Sequence, residues 1–419
     1  MKRYLFVLTF ASYLALTLTL LDFSSPKKAE ATLATPAQND LIVHEWGTFT
    51  SISGKDGTAL DWRPLDGEAS DLPKFVYTSA GNDGYRQTYG LKHVPSQKGS
   101  VVAKVRMETP VIYFYTGREM EVNVSVDFPK GKITEWYPQA SVVNGQFAKD
   151  QTGGNALLSG INWGAIKLLP GETPDYLREA SDSHYYPARE TDAVPVQVCN
   201  ADKTKIEKEK FLFYRGVGDF NLPLSVKLND GKITLLGNAA APQKIKNLII
   251  FENQSGKIGF RTIETLNKET VVERPETSQS LEMVFGELEK ILISEGLYEK
   301  EAKAMIKTWR DSWFEEGLRV FYVLPAAATD EILPIRIAPK PNKIVRVLVG
   351  RAEIITPETE QKVRKQVVLL KSGSSTIREE AQKNLRKYGR FYEPVLKSIL
   401  QNETDADLRR QIQELISMR

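Results

Sequence analysis

Cysteine is almost missing from this 419-residue chain: Cys199 is the only one. No intrachain disulfide can form, and no paired-cysteine metal site is available. Histidine is nearly as scarce, limited to His44, His93 and His184. A metal would need His44 and His184 to converge, so neither metal nor cofactor is expected. Excess charge is missing too, with 56 Lys and Arg against 53 Asp and Glu. Such a balance gives no electrostatic preference for nucleic acid or for an anionic membrane. There is no Gly-x-Ser-x-Gly elbow, phosphate-binding loop or calcium loop.

What is present begins at the N-terminus. An apolar run from Tyr4 to Leu21 follows Lys2 and Arg3 and precedes Ala29-Glu30-Ala31. A charged start, an apolar middle and a small-x-small exit mark a secretory signal over residues 1–31. The competing reading is an uncleaved anchor, but Thr9, Ser12, Thr17 and Thr19 dilute the run. Either way the body is expected outside the cytoplasm, periplasmic or extracellular, at a membrane only if the segment is retained. Removing Lys2, Arg3, Lys27 and Lys28 from the 56 basic residues leaves 52. Removing Asp22 and Glu30 from the 53 acidic ones leaves 51. The remaining 388 residues of the 419 are ample for a buried core without disulfides.

Glycine usage divides the chain: of 28 glycines, 22 precede residue 271 and six follow it. The first part reads as short strands, among them Leu41 to Ile52, Val101 to Met107, Val111 to Tyr115, Glu121 to Phe128, Phe211 to Tyr214 and Leu248 to Phe251. Val122, Val124 and Val126 alternate with polar residues, a period of two that buries one face. Turn signals such as Asn229-Asp230-Gly231 join neighbouring strands. The pattern predicts a mainly β, antiparallel sandwich-like domain over residues 32–273. Residues 274–356 add a helical hairpin, Ser280 to Leu297 and Glu299 to Leu318 about Gly296, then returning strands. Residues 357–419 read as α-helical, with Thr376 and Glu379 as a capping box and a repeat of 31 residues pairing Ile377 with Leu408 and Ala381 with Ile412.

The run Leu369 to Leu396, with Gly373, Ile377-Arg378-Glu379-Glu380-Ala381, Leu385, Gly389 and Pro394, resembles a HEAT-like repeat. That resemblance implies a helical packing or interaction module rather than an activity. Fewer than two full repeats are present, so residues 357–419 are expected to dock on the body or on a partner. The body is similar to uncharacterised exported bacterial proteins with a His-Glu-Trp-Gly-Thr-Phe-Thr run, here His44 to Thr50, and that family brings no activity.

Several residues could carry chemistry. His44-Glu45 lacks the second histidine of a zinc-protease helix, because position 48 is Thr48. In a strand, Glu45 shares a face with Leu41, Val43 and Phe49, so it needs a cation or a raised pKa. It is therefore either a structural ion pair or, with His44, a catalytic pair. His184, Tyr185, Tyr186 and Arg189 can bind a polar ligand, Arg189 clamping a carboxylate or phosphate; the alternative is a solvated loop. The turn around Gly216 and Gly218 presents Arg215 and Asp219. Glu108 and Glu135 could serve a glycosidase if their carboxyls approach each other. Cys199 is expected to be a buried, inert thiol, and His93 a loop residue. The leading function is binding of a protein partner or other envelope component, polysaccharide included. The alternative is a hydrolase acting on a glycan or other polar envelope substrate. A shared open cleft holding His44, Glu45, His184 and Arg215 would favour the second.

Overall fold

The computed structural model describes residues 40–65, 72–79, 101–144, 146–149, 155–180, 182–199, 205–238 and 244–417. The predicted signal segment and His93 lie outside the described residues. Strands below are numbered in chain order.

The centre is a nine-stranded sheet built around β1 (Ile42–Ser53). On one side of it lie β20 (Lys343–Ile354), β18 (Gly317–Val323), β15 (Lys246–Gln254) and β16 (Lys257–Thr265). On the other lie β3 (Val105–Tyr115), β12 (Leu212–Gly218), β5 (Gly131–Tyr137) and β2 (Tyr77–Thr78). A second sheet runs β11 (Ile206–Glu209), β10 (Val196–Cys199), β9 (Gly160–Leu168), β4 (Met120–Asp127) and β19 (Ile335–Ala338), with β6 (Val142–Val143) also on β9. A third joins β13 (Leu224–Asn229), β14 (Lys232–Gly237) and β17 (Glu269–Glu273). The hairpin β7 (Gln146–Lys149) and β8 (Asn155–Leu158) stands apart.

The alternation of β1 decides the layers, because successive side chains leave opposite faces of a strand. Leu41, Val43 and Phe49 enter a core with Val122, Val124, Val126 and Trp163 of the second sheet and Val226, Ile233 and Leu235 of the third. This is the predicted sandwich. Trp46 points the other way, into a core with Tyr113, Phe213, Phe321 and Val347. That face is covered by α1 (Leu281–Ser294) and α2 (Glu299–Trp313) through Val284, Leu288, Leu292, Met305 and Trp313. Each large apolar side chain so buried is worth about 1.5–3 kcal/mol. Gly296, at φ +110°, lets the chain reverse between the two helices, as the sequence implies.

Three details differ from the sequence reading. Residues 101–115 do not form two strands: β3 is continuous through Thr109-Pro110. Those two residues stand opposite Gly47 alone in a β-bulge, with Thr109 at φ 48°. A Cβ on Gly47 would come within 2.8 Å of the Pro110 backbone, so glycine is required there. Second, the sheet is not wholly antiparallel, since β1 pairs β20 in parallel. Third, β18 and β20 complete the central sheet, so residues 274–356 are structurally continuous with the β body.

A short helix, α3 (Ala326–Ile332), follows β18. The C-terminal module is α4 (Pro357–Leu369), α5 (Ser375–Arg386), α6 (Tyr392–Asn402) and α7 (Ala406–Ser417). Thr356 caps α4 by accepting from Thr359 N–H. The expected capping box at Thr376 does not form, because the cap falls two residues earlier, at Ser374, which makes no side-chain bond. The module has its own core, including Val363, Val367, Ala381, Leu385, Leu396 and Ile412. Ala381 and Ile412 are both buried, but Ile377 is exposed where its repeat partner Leu408 is buried. The module docks on the body through ion pairs: Lys55 with Glu360 at 2.9 Å, Lys362 with Glu316 at 3.1 Å, Arg274 with Glu358 at 3.0 Å, and Arg390 with Glu315. No helix among the described residues is long and apolar enough to cross a membrane.

Candidate functional site

His44 and Glu45 are neighbours in β1 and therefore face opposite layers. The His44 ring packs against Tyr115 and Tyr298, its Nδ1 2.7 Å from Glu301 Oε2. Glu301 also accepts from the Tyr115 hydroxyl at 2.9 Å and from the Tyr298 backbone N–H at 2.8 Å, closing the N-terminus of α2. On the sandwich side, Glu45 accepts from Arg346 Nε at 2.6 Å and from the Tyr214 hydroxyl. Burial drives the Tyr214 pKa well up. Burial lowers the Arg346 pKa, but Glu45 outweighs it and the net shift is upward. His44 and Glu45 are both fully buried, each with a partner from its own layer.

The segment around His184 lies against α2. His184 Nδ1 is 3.0 Å from the Thr308 carbonyl, and its ring stacks on Trp309. Glu301 and Thr308 are seven residues apart on α2, about 10 Å along a helix. The two histidines thus use different turns and do not share a metal position, and no metal-binding group of three occurs among the described residues. Arg189 is surrounded by the rings of Phe75, Tyr176, Tyr185 and Tyr186. It donates to Glu209 from Nε at 2.9 Å and from Nη2 at 2.6 Å, while the Tyr185 hydroxyl donates to the same carboxylate at 3.0 Å. Burial raises the Glu209 pKa, although Arg189 opposes it. The carboxylate clamp foreseen for Arg189 is occupied by the chain's own Glu209. The Tyr186 hydroxyl accepts from Glu179 N–H.

Arg215 donates to Glu135 at 2.8 Å, and Asp219 is an exposed partner of Lys104. Glu108 accepts from Thr50 at 3.1 Å and pairs with Arg106 at 3.3 Å. Each carboxylate of the glycosidase reading is therefore matched to a guanidinium. The histidines, Glu45 and Arg215 do not gather around one cleft. Cys199 is exposed at the end of β10, which corrects the expectation of a buried thiol.

An open cleft exists elsewhere, where the C-terminal module meets the body. Its volume is about 880 Å³, and Trp62, Arg63, Arg106, Glu315, Arg390 and Glu393 are among its walls. Beneath it, one face of the central sheet turns from apolar to charged. Arg351, Thr50 and Arg106 stand directly opposite one another across β20, β1 and β3. One strand further, Arg319 faces Glu353 across β18 and β20, both fully buried, Nε to Oε2 3.2 Å. Arg319 also donates to the Trp313 and Glu315 carbonyls, capping the C-terminus of α2. Burial pulls its pKa down to about 10 despite Glu353. Arg351 contacts Glu353 and donates to Glu315 at 2.8 Å. Arg351 Nε and Nη1, and Arg63 Nε, meet no acceptor among the described residues. Exposed Lys362, Arg386 and Lys387 stand at the mouth, with Tyr388 and Phe391.

This cleft is not legible in the sequence, because its walls come from distant segments. One signal was available: Arg351 and Glu353 interrupt an apolar strand two residues apart, which places both charges on one face.

No family model matches the chain, and no curated protein matches it. Among solved structures, it is similar to the Fcho1 Mu homology domain of Danio rerio with bound Eps15 peptide, with a TM-score of 0.29 and 7% identity. The match covers 76% of this chain and 99% of that one. A likeness this distant carries no argument about function.

Proposed function

We propose that this is an exported protein that binds a protein partner of the cell envelope through the cleft between its β body and its C-terminal module. The observation that carries the reading is the cleft: about 880 Å³, with charged and aromatic walls supplied by both parts. Aromatic rings and arginines are the side chains most enriched where proteins bind one another. Export rests on the N-terminal sequence, Lys2 and Arg3 before the Tyr4 to Leu21 run. The hydrolase alternative gains nothing from the geometry, because Glu45, Glu108 and Glu135 each face an arginine.

The test is retention of envelope proteins by purified wild-type protein and by an Arg386→Glu/Lys387→Glu variant. Both positions are exposed, so the variant keeps its fold, checked by its unfolding transition. Retention by the wild type that is lost in the variant supports the cleft. Equal retention by both places the binding surface elsewhere.

A further inference from the structure

We infer that the C-terminal module is a hinged unit, held against the β body by ion pairs, and that it swings out and widens the cleft when those pairs are screened. The swing needs only the joint; its consequence for partners rests on the cleft being the binding site. The chain passes from body to module through Ile355 and Thr356, between the end of β20 and the start of α4. The apolar core of the module is drawn from Ile355 to Ile416, and none of its residues belongs to either large core of the body. The two parts therefore share no hydrophobic core. Relative motion is the default for parts of a chain joined by a polar interface, and a large apolar one is what suppresses it.

Charge dominates the joint. Lys55, which pairs with Glu360, is 79% exposed; Lys362 and Glu316 are 53% and 57% exposed. Pairs this open to water are weak and fade as salt rises. Arg390 of the module reaches Glu315 and, at 3.8 Å, Glu353, so the module roofs the charged layer of the central sheet. Closing that roof is opposed by desolvation. Arg351 Nε and Nη1, Glu353 Oε1, Arg63 Nε and Glu393 Oε1 are buried and make no hydrogen bond among the described residues. Donors and acceptors alike regain water when the module lifts, which offsets part of the pairing lost. Trp62 of the body and Phe391 and Tyr392 of the module line the cleft and favour closure. The balance is a module closed at low salt and open at high salt.

The test is the distance between two spin labels on the full chain, read by double electron–electron resonance. Cys199 is exposed and would take a label, so the background is Cys199→Ser. One label is placed through Lys257→Cys in β16 and the other through Lys383→Cys in α5, both exposed positions. At about 0.01 M NaCl one narrow distance is expected. At about 1 M, where the Debye length is about 3 Å, a longer and broader population appears, with the far-ultraviolet helical signal unchanged. Lys362→Glu sets like charge against Glu316 and shifts the opening to lower salt. Adding Glu316→Lys restores an opposite pair and shifts it back. Both side chains are more than half exposed, so these variants keep the fold. A distance that ignores salt, a Lys362→Glu response identical to wild type, a swap that fails to restore it, or opening that coincides with loss of helix overturns the hinge. Salt-dependent opening together with equal envelope retention by wild type and by Arg386→Glu/Lys387→Glu keeps the hinge and removes the cleft as the binding site.

Discussion

Replacing Glu353 by glutamine tests the charged layer beneath the cleft. Glu353 is fully buried and, among the described residues, is the one fully buried carboxylate that pairs with both Arg319 and Arg351, which are equally buried. Glutamine keeps the shape and one acceptor oxygen but removes the charge. Two buried guanidinium groups then have only Glu315 nearby as a counter-charge, and it is 40% exposed. Breaking a buried pair from one side costs about 3–5 kcal/mol, mostly through the uncompensated charge left behind. Backbone acceptors at the end of α2 still serve Arg319, so the loss should fall near the lower figure. Urea unfolding followed by tryptophan fluorescence reads it, since Trp313 is the last residue of the helix that Arg319 caps. A double-mutant cycle with Arg319→Met should return a coupling of about 1–3 kcal/mol. A loss under about 1 kcal/mol for Glu353→Gln, or a coupling near zero, would show that water reaches these groups and refute the description of a buried charge layer.

Two other outcomes follow from the same physics. Glu301→Gln weakens the His44 contact, the Tyr115 bond and the start of α2 together, and should lower stability by about 2–4 kcal/mol; His44→Gln in the same background should then cost little more. Burial raises the pKa of Tyr113, Tyr115, Tyr185 and Tyr214 well above the usual value, and that of Tyr77 and Tyr176 to about 12. These phenols are neutral when folded and ionise near pH 10 when unfolded, so their contribution is complete below pH 10 and is lost as pH rises through the folded values. Stability should fall from about pH 10 upward, and absorbance titration should show these tyrosines ionising together with unfolding; gradual ionisation near pH 10 in folded protein contradicts their burial.

The β body was legible because its signals are local. The alternation in β1 and β4 gives the faces directly, and Gly296 and Asn229-Asp230-Gly231 mark real reversals. The parallel pairing of β1 with β20 was hidden, because it joins Ile42 to Lys343 and no local pattern encodes a contact at that separation. The continuity of β3 was hidden for another reason: Thr109-Pro110 reads as a break, and only Gly47 across the sheet makes the bulge possible. For the candidate residues, the need of Glu45 for a cation was foreseen correctly from its apolar face. Which arginine answers it was not, since Arg346 is 301 positions away. Arg189 looked free for the same reason: Glu209 stands 20 residues on, at the end of β11.

The proposed function has partners entering the cleft between the β body and the C-terminal module. The most direct measurement places a photo-cross-linking amino acid at Lys387 in one variant and at exposed Val271 in another, and irradiates each in envelope extract. A discrete adduct is expected from position 387, competed by excess unlabelled wild-type protein, and none from position 271. Adducts from 271 alone, or the same adduct from both positions, would contradict it.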